Sequence, residues 1–155
     1  MSKKEDILNE KIIKLTTEQL QEYVKDDPVR PHLDAEFRTT YNCETFALED
    51  GGDINAIICV AHIYGVPTCE RDLTTNTKLK NDYVVTPYTV WSYSPGAGRR
   101  LVNGVIDKVR HANKNAEVRI ITMSPKTEMA KKFHISNGAA ELQVNEDTVN
   151  FEYLV

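Results

Sequence analysis

Three stretches of the 155-residue sequence carry residue types whose spacing suits chemistry. The first is Ser94-Pro95-Gly96-Ala97-Gly98-Arg99-Arg100, a glycine turn between a strand-type run and a helix-type run. Glycines let a backbone approach a ligand closely, the first helical N–H groups have no internal partner, and the helix dipole favours negative charge. The amides of Gly96, Ala97, Gly98 and Arg99, with the charge of Arg99 or Arg100, therefore suit a phosphate, although an ordinary turn has the same spelling. No Gly-Lys-Ser/Thr follows and a third glycine is missing, which excludes the Walker and Rossmann patterns. The second stretch is Ser124-Pro125 with Thr127 and Glu128, where Ser124 either caps a helix, worth ~1 kcal/mol, or offers its hydroxyl to a ligand. The third group is the histidines. His134 lies on the helix that follows, and His62 lies in an apolar run; each is either a structural imidazole or an acid/base group near neutral pH. Glu44 and Tyr88 are further candidates for a base. His32, His62 and His111 form no metal-ligand spacing with one another or with Cys43, Cys59 and Cys69, so no metal is expected.

Composition bounds what these residues serve. With 41% hydrophobic and 27% charged residues the chain has globular proportions, and its length suits one domain, residues 1–155. The longest apolar stretch, Ile54 to Val66, falls well short of the ~20 residues of a membrane span. No apolar run follows the charged residues after Met1, so no secretory signal is read, and three cysteines without CxxC spacing suit a reducing cytoplasm. The net charge of −4 hides an asymmetry: residues 97–132 carry nine Lys/Arg against three acids, so this segment is +6 and the remainder −10. The segment is either a solvated helix face or an anion site. Its interleaved acids and the acidic remainder argue against nucleic acid.

The elements that must position these residues follow from periodicity. Residues 11–15 suit a strand, and Thr16-x-x-Gln19 is a capping box ahead of Leu20, Tyr23 and Val24. Pro28 and Pro31 end that helix, and Leu33 to Arg38 suits a second. Cys43 to Leu48 and Ile54 to Tyr64 flank Glu-Asp-Gly-Gly-Asp as a hairpin. Pro67 to Asp82 reads as a long loop of functional interest. Tyr83 to Tyr93 is β-branched and aromatic; Pro87 inside it predicts a bulge or a break in pairing, and Tyr88, Trp91 and Tyr93 suit core packing. A helix follows, with Leu101, Val105 and Val109 on one stripe and Gly104 marking close packing. Residues 117–122 form a strand, the helix after Ser124 stops at Asn137-Gly138, and Ala140 to Val144 with Thr148 to Val155 form a last hairpin. The class is α+β, with one parallel strand-helix-strand unit inside a largely antiparallel sheet.

This order, with Tyr93-Ser94-Pro95-Gly96-Ala97-Gly98, resembles the GNAT superfamily of acyl-CoA-dependent N-acyltransferases over essentially the full chain. In that family a bulged strand leads into Gln/Arg-x-x-Gly-x-Gly/Ala, whose amides hold the CoA pyrophosphate; here Tyr93 stands at the Gln/Arg position. The resemblance implies a mixed, mostly antiparallel sheet of six to seven strands flanked by about four helices. It implies a CoA thioester, acetyl-CoA or malonyl-CoA, with Gly96, Ala97, Gly98, Arg99 and Arg100 at the pyrophosphate. Val90, Trp91, Ser92 and Tyr93 would pair with the pantetheine amides, in a cleft between this strand and residues 117–122.

A more local resemblance covers about 30 residues. Thr122-Met123-Ser124-Pro125, Phe133-His134-Ile135-Ser136-Asn137-Gly138-Ala139 and Asn150-Phe151-Glu152-Tyr153 are similar to the catalytic region of malonyl-CoA decarboxylase, itself built on a GNAT core. It implies Ser124 and His134 as catalytic residues and brings Asn137 to the cofactor. His134 also sits where many acetyltransferases carry the tyrosine that protonates the departing CoA thiolate. A separation of about 15 Å along a helix, at ~1.5 Å per residue, argues against a Ser124–His134 nucleophile pair. The expectation is transfer of an acyl group to an amine, with His134 as acid and His62 as base; the alternatives are decarboxylation of malonyl-CoA and a non-catalytic GNAT-like binding module. The acidic remainder favours a cationic acceptor, a small molecule such as a polyamine or a lysine-bearing protein, recognised by residues 25–40 and 67–82. A homodimer is left open.

Overall fold

The computed structural model describes residues 9–74, 82–114 and 117–154. β1 (Glu10–Lys14) leads to Thr16, whose side chain accepts from the Gln19 amide while Gln19 returns a bond to the Thr16 N–H. This capping box starts α1 (Thr17–Leu20), a single turn followed by a short 3-10 helix, Val24–Asp26. Asp34 caps α2 (Ala35–Thr39) by accepting from the Phe37 amide.

β2 (Cys43–Asp50) and β3 (Asp53–Tyr64) form the first hairpin. Asp50 pairs with Asp53, so the turn is only Gly51-Gly52, both at positive φ, the geometry that matches strand twist. A 3-10 helix, Glu70–Thr74, follows; the rest of the long loop, 75–81, lies outside the described residues. Then come β4 (Tyr83–Ser92), α3 (Ala97–Ala112), β5 (Arg119–Ile121), β6 (Ser124–Pro125), α4 (Glu128–Ser136), β7 (Ala140–Val144) and β8 (Thr148–Tyr153).

One eight-stranded sheet runs β1-β2-β3-β4-β5-β8-β6, with β7 pairing β8. The count exceeds the expected six to seven because two-residue β6 adds a strand. All pairings are antiparallel except β4 with β5, which the intervening helix α3 makes parallel. α3 covers one face, where Leu101 and Val105 pack on Ile58, Val60, Ile120 and Phe151. α1 and α2 cover the other with Leu20 and Ala35, over Ile57, Ile63, Tyr88 and Met123. Gly104 brings α3 against β1: a Cβ there would lie 2.3 Å from Ile12 Cδ1, so a larger residue would force the tip of that side chain to shift.

Candidate functional site

The site starts with a misfit between β3 and β4. Cys59 pairs with Thr89 and Val60 with Pro87, leaving Tyr88 as the extra residue of a bulge. Pro87 has no N–H to give to the ladder, which is why the strand yields here. On its other side β4 meets β5 only at Val84 and Val85. Past one hydrogen bond from the Met123 amide to the Pro87 carbonyl, 3.2 Å, the two chains separate. A cavity of about 970 Å³ fills the gap. Its walls come from β4 between Pro87 and Tyr93, from Gly98 and Val102 of α3, from Ser124, from Phe133 and His134 of α4, and from Asp26 and Val29.

Of the sequence candidates, Val90, Trp91, Ser92, Tyr93, Gly98, Ser124 and His134 line this cavity. Gly96 is the N-cap of α3 with φ 77°, a left-handed conformation that demands glycine. A Cβ on Gly98 would meet Phe133 and Ser92 at 3.8 Å, ordinary contact, so packing alone does not require this glycine. The helix N-terminus and this open approach fit an anionic ligand such as a pyrophosphate.

The arginines do not fit the expectation. Arg100 is held by Glu10 through two hydrogen bonds of 2.7 and 2.9 Å, and Arg99 by the Ser136 hydroxyl at 2.8 Å. Neither lines the cavity. Arg119 likewise pairs with Glu152, and Lys131 with Glu141 at 3.8 Å. The basic segment is thus partly neutralised by acids from distant elements rather than reserved for an anion. Asn137 also lies elsewhere: it ends α4, donates to the Tyr153 hydroxyl at 3.3 Å, and faces a separate, smaller cavity.

His134 is buried, its ring stacked on Phe151 and edge-on to Phe133. Its Nδ1 shares a 2.7 Å hydrogen bond with the Tyr153 hydroxyl. In the tautomer where the Tyr153 hydroxyl donates to Nδ1, Nε2 carries the imidazole proton. Burial pushes the His134 pKa down to about 4. The ring is therefore neutral at pH 7 rather than the expected imidazolium, and in that tautomer Nε2–H is a hydrogen-bond donor and a much weaker acid.

Ser124 does not cap α4. It sits in β6 opposite Val149, and Thr127 takes the cap by accepting from the Ala130 amide. The Ser124 hydroxyl is buried and bonded to the Thr122 hydroxyl at 2.8 Å. The amide of Asn150 fixes this corner, donating to the carbonyls of Thr122 and Pro67 at 2.7 and 2.8 Å. No hydrogen bond joins Ser124 to His134 among the described residues.

His62 is not in the cleft. It stands between Glu44, 2.6 Å from its Nε2, and the Tyr83 hydroxyl, on the part of the sheet where Lys14 also pairs with Glu44. The hydrogen bond with His62, with help from Lys14, lowers the Glu44 pKa to about 2. Glu44 is thus engaged away from the cavity. Tyr88 does line the cavity, but its hydroxyl is buried with no hydrogen-bond partner among the described residues, and burial raises its pKa far above neutrality, so it is not a base either.

Sequence reasoning missed the other wall. Arg30 is 3% exposed and donates to the carbonyls of Tyr88, at the bulge, and Met123, at 3.1 Å, so it spans the gap between the two chains. Asp27 holds this end. It accepts from the amides of Val29 and Arg30, from the Thr89 hydroxyl and from Arg38 at 2.8 Å. Burial would raise its pKa, but those hydrogen bonds outweigh it and hold the carboxyl below its ordinary value. Arg38, fully buried, also donates to the Leu33 and Arg30 carbonyls. The one local signal was Asp27-Pro28, a turn-forming pair.

No group of three or more His, Cys, Asp or Glu is placed to hold a metal among the described residues, and none of their helices is long and apolar enough to cross a membrane. Cys43 and Cys59 are buried thiols; Cys69 is exposed.

With this geometry in hand, comparison with solved structures gives the class: the chain has the fold of the GNAT acetyltransferases. The GNAT domain of S. lividans PAT matches with TM-score 0.63 and 12% identity, over 92% of this chain and 88% of that one. Arabidopsis thaliana NAA60 in complex with acetyl-CoA matches with TM-score 0.64 and 11% identity, over 94% and 98%. Malonyl-CoA decarboxylase from Cupriavidus metallidurans matches with TM-score 0.66 and 12% identity, over 96% of this chain but only 62% of that chain. No family model and no curated protein matches the sequence.

Proposed function

We propose that this protein binds an acyl-CoA in the gap between β4 and β5 and transfers the acyl group to an amine. The observation that carries this reading is the cavity itself. It runs along the unpaired edge of β4, from the Tyr88 bulge to Gly98 at the start of α3. A CoA thioester supplies an activated acyl carbon and a thiolate leaving group. Of the chain's own groups, the α3 amides would bind the pyrophosphate, and the free edge of β4 between Val90 and Tyr93 would hydrogen-bond the pantetheine arm. Backbone N–H groups at the bulge would donate to the thioester oxygen as it gains charge. The amine nitrogen bonds the acyl carbon, the C–S bond breaks with its electron pair going to sulfur, and the proton lost by nitrogen ends on sulfur. Neutral His134 would steady that sulfur through Nε2–H rather than act as a strong acid.

A second reading has an observation of its own. Ser124 and His134 share the cavity wall, and the cationic side chains expected beside it are engaged elsewhere. A malonyl carboxylate there would be poorly solvated, a condition that favours its loss as carbon dioxide, with Ser124 and His134 donating to the enolate oxygen left behind. One experiment separates the readings: titrate CoA, acetyl-CoA and malonyl-CoA by calorimetry, then measure acyl transfer over an amine panel and carbon dioxide release from malonyl-CoA. Acyl transfer is the expected result; carbon dioxide release alone establishes the second reading. CoA binding without turnover leaves a binding module, and no binding of any CoA species removes both readings.

A further inference from the structure

The Asp26 side of the cavity has a construction of its own. The 3-10 turn Val24–Asp26 brings the Asp26 carboxylate to the cavity. The Tyr93 hydroxyl donates to Asp26 Oδ2 at 2.7 Å, and Trp91 Nε1 donates to that hydroxyl oxygen at 2.9 Å. Tyr23 packs against Tyr93 with ring centroids 6.1 Å apart. Burial and the Asp26 hydrogen bond push the Tyr93 pKa up to about 12, so the phenol remains a donor. Asp26 Oδ1 has no hydrogen-bond partner among the described residues. Among the described residues lining the cavity, Asp26 is the one Asp, Glu, Lys or Arg, and His134 is held neutral by burial.

A fixed carboxylate beside aromatic rings in a cavity without cations suits an organic ammonium. The reacting amine is not that ammonium, because a nitrogen attacks only with its lone pair free. The charge held by Asp26 must therefore be a second one. Resting on the acyl-transfer reading above, we propose that the acceptor is an aliphatic diamine or polyamine, with Asp26 binding the amino group that does not react. Tyr93 then has a reason to stand where the GNAT pattern has Gln or Arg. It serves the acceptor by fixing Asp26, rather than the pyrophosphate.

Trp91 is the only tryptophan in the chain, so its fluorescence reports on this corner without any turnover. The test titrates the protein, without CoA, with 1,5-diaminopentane and with 1,5-pentanediol as the uncharged control. The expected result is a saturable change with the diamine alone, weakened at least tenfold in Asp26→Asn and severalfold in Tyr93→Phe. Asp26 is exposed, so neither variant threatens the core. In acetyl transfer, the preference in kcat/KM for 1,5-diaminopentane over 1-aminopentane should collapse toward unity in Asp26→Asn. No saturable change with the diamine, or equal affinity in Asp26→Asn, overturns the proposal. Asp26-dependent diamine binding without acyl transfer to any amine supports the cation site and rejects the acyl-transfer reading instead.

Discussion

The two walls of the gap between β4 and β5 solve one problem with opposite chemistry. On the α4–β8 side the corner beside the gap is built from neutral hydrogen-bonded groups: Thr122, Ser124, Asn150, Tyr153 and a histidine that burial keeps uncharged. On the α1–α2 side the carbonyls are held by buried charges, Arg30 on Tyr88 and Met123, with Asp27 and Arg38 behind them. Both walls border the gap, and Arg30 bridges it from the Tyr88 to the Met123 carbonyl. The neutral wall is able to contact a reacting group without competing for its charge. The ionic wall is locked by mutual attraction, and its cations are occupied by carbonyls and by the carboxylates of Asp27 and Glu70 rather than offered to a ligand.

Breaking the ionic wall has the largest expected effect. Arg38→Ala leaves Asp27 buried without its cation, and removing one partner of such a pair costs about 3–5 kcal/mol. Urea denaturation measures this, and a loss below ~1 kcal/mol would mean that the network is not structural.

Acid separates the two walls. The His134 pKa lies below its unfolded value of ~6.5, so its contribution is complete above that pH and is lost as pH falls toward about 4. The loss amounts to about 3 kcal/mol. The Asp27 pKa is also lowered, so its contribution is present above its unfolded value of ~3.9 and is lost only at lower pH. Wild type should therefore weaken in two phases on acidification. His134→Gln should remove the first phase and keep the second, read from the urea midpoint between pH 7 and 3.

For chemistry, His134→Ala should lower turnover by about 10²-fold while CoA affinity measured by calorimetry changes little, because hydrogen-bond donation at the leaving group acts in the transition state. Equal turnover would leave His134 with only its packing role on Phe151. The smallest effect is expected at Gly98→Ala. The added methyl meets only ordinary contacts at 3.8 Å, so stability should hold within ~0.5 kcal/mol. CoA affinity should nevertheless fall by about tenfold if the α3 amides bind its pyrophosphate. Unchanged affinity would make the turn only a turn.

Much of this arrangement was legible in the residues alone. Capping at Thr16, the Gly51-Gly52 turn, the weakness at Pro87 and the glycine turn at Gly96 are local consequences of residue type. Alternation and helical periodicity supplied the strands and helices between them, and the strand-helix-strand order implied the one parallel pair. Of the residues of the second resemblance, Ser124 and His134 line the gap, and Tyr153 bonds His134 Nδ1.

Local patterns carry no record of partners brought in from far along the chain. Arg30, Asp27 and Arg38 lie in the segment read as acceptor-recognising, and only packing against β4 makes them a buried lock. Arg100 reads as an anion ligand until Glu10, 90 residues away, takes it. Tyr93 reads as a departure from a motif until Asp26, 67 residues away, accepts its hydrogen bond. His134 has an ordinary imidazole by sequence, and only desolvation against Phe133 and Phe151 keeps it neutral. Sequence determined which elements form and in what order, because helix, strand and turn depend on near neighbours. Tertiary structure alone decided which charges are free to act, because desolvation and ion pairing depend on what the fold lays beside each group.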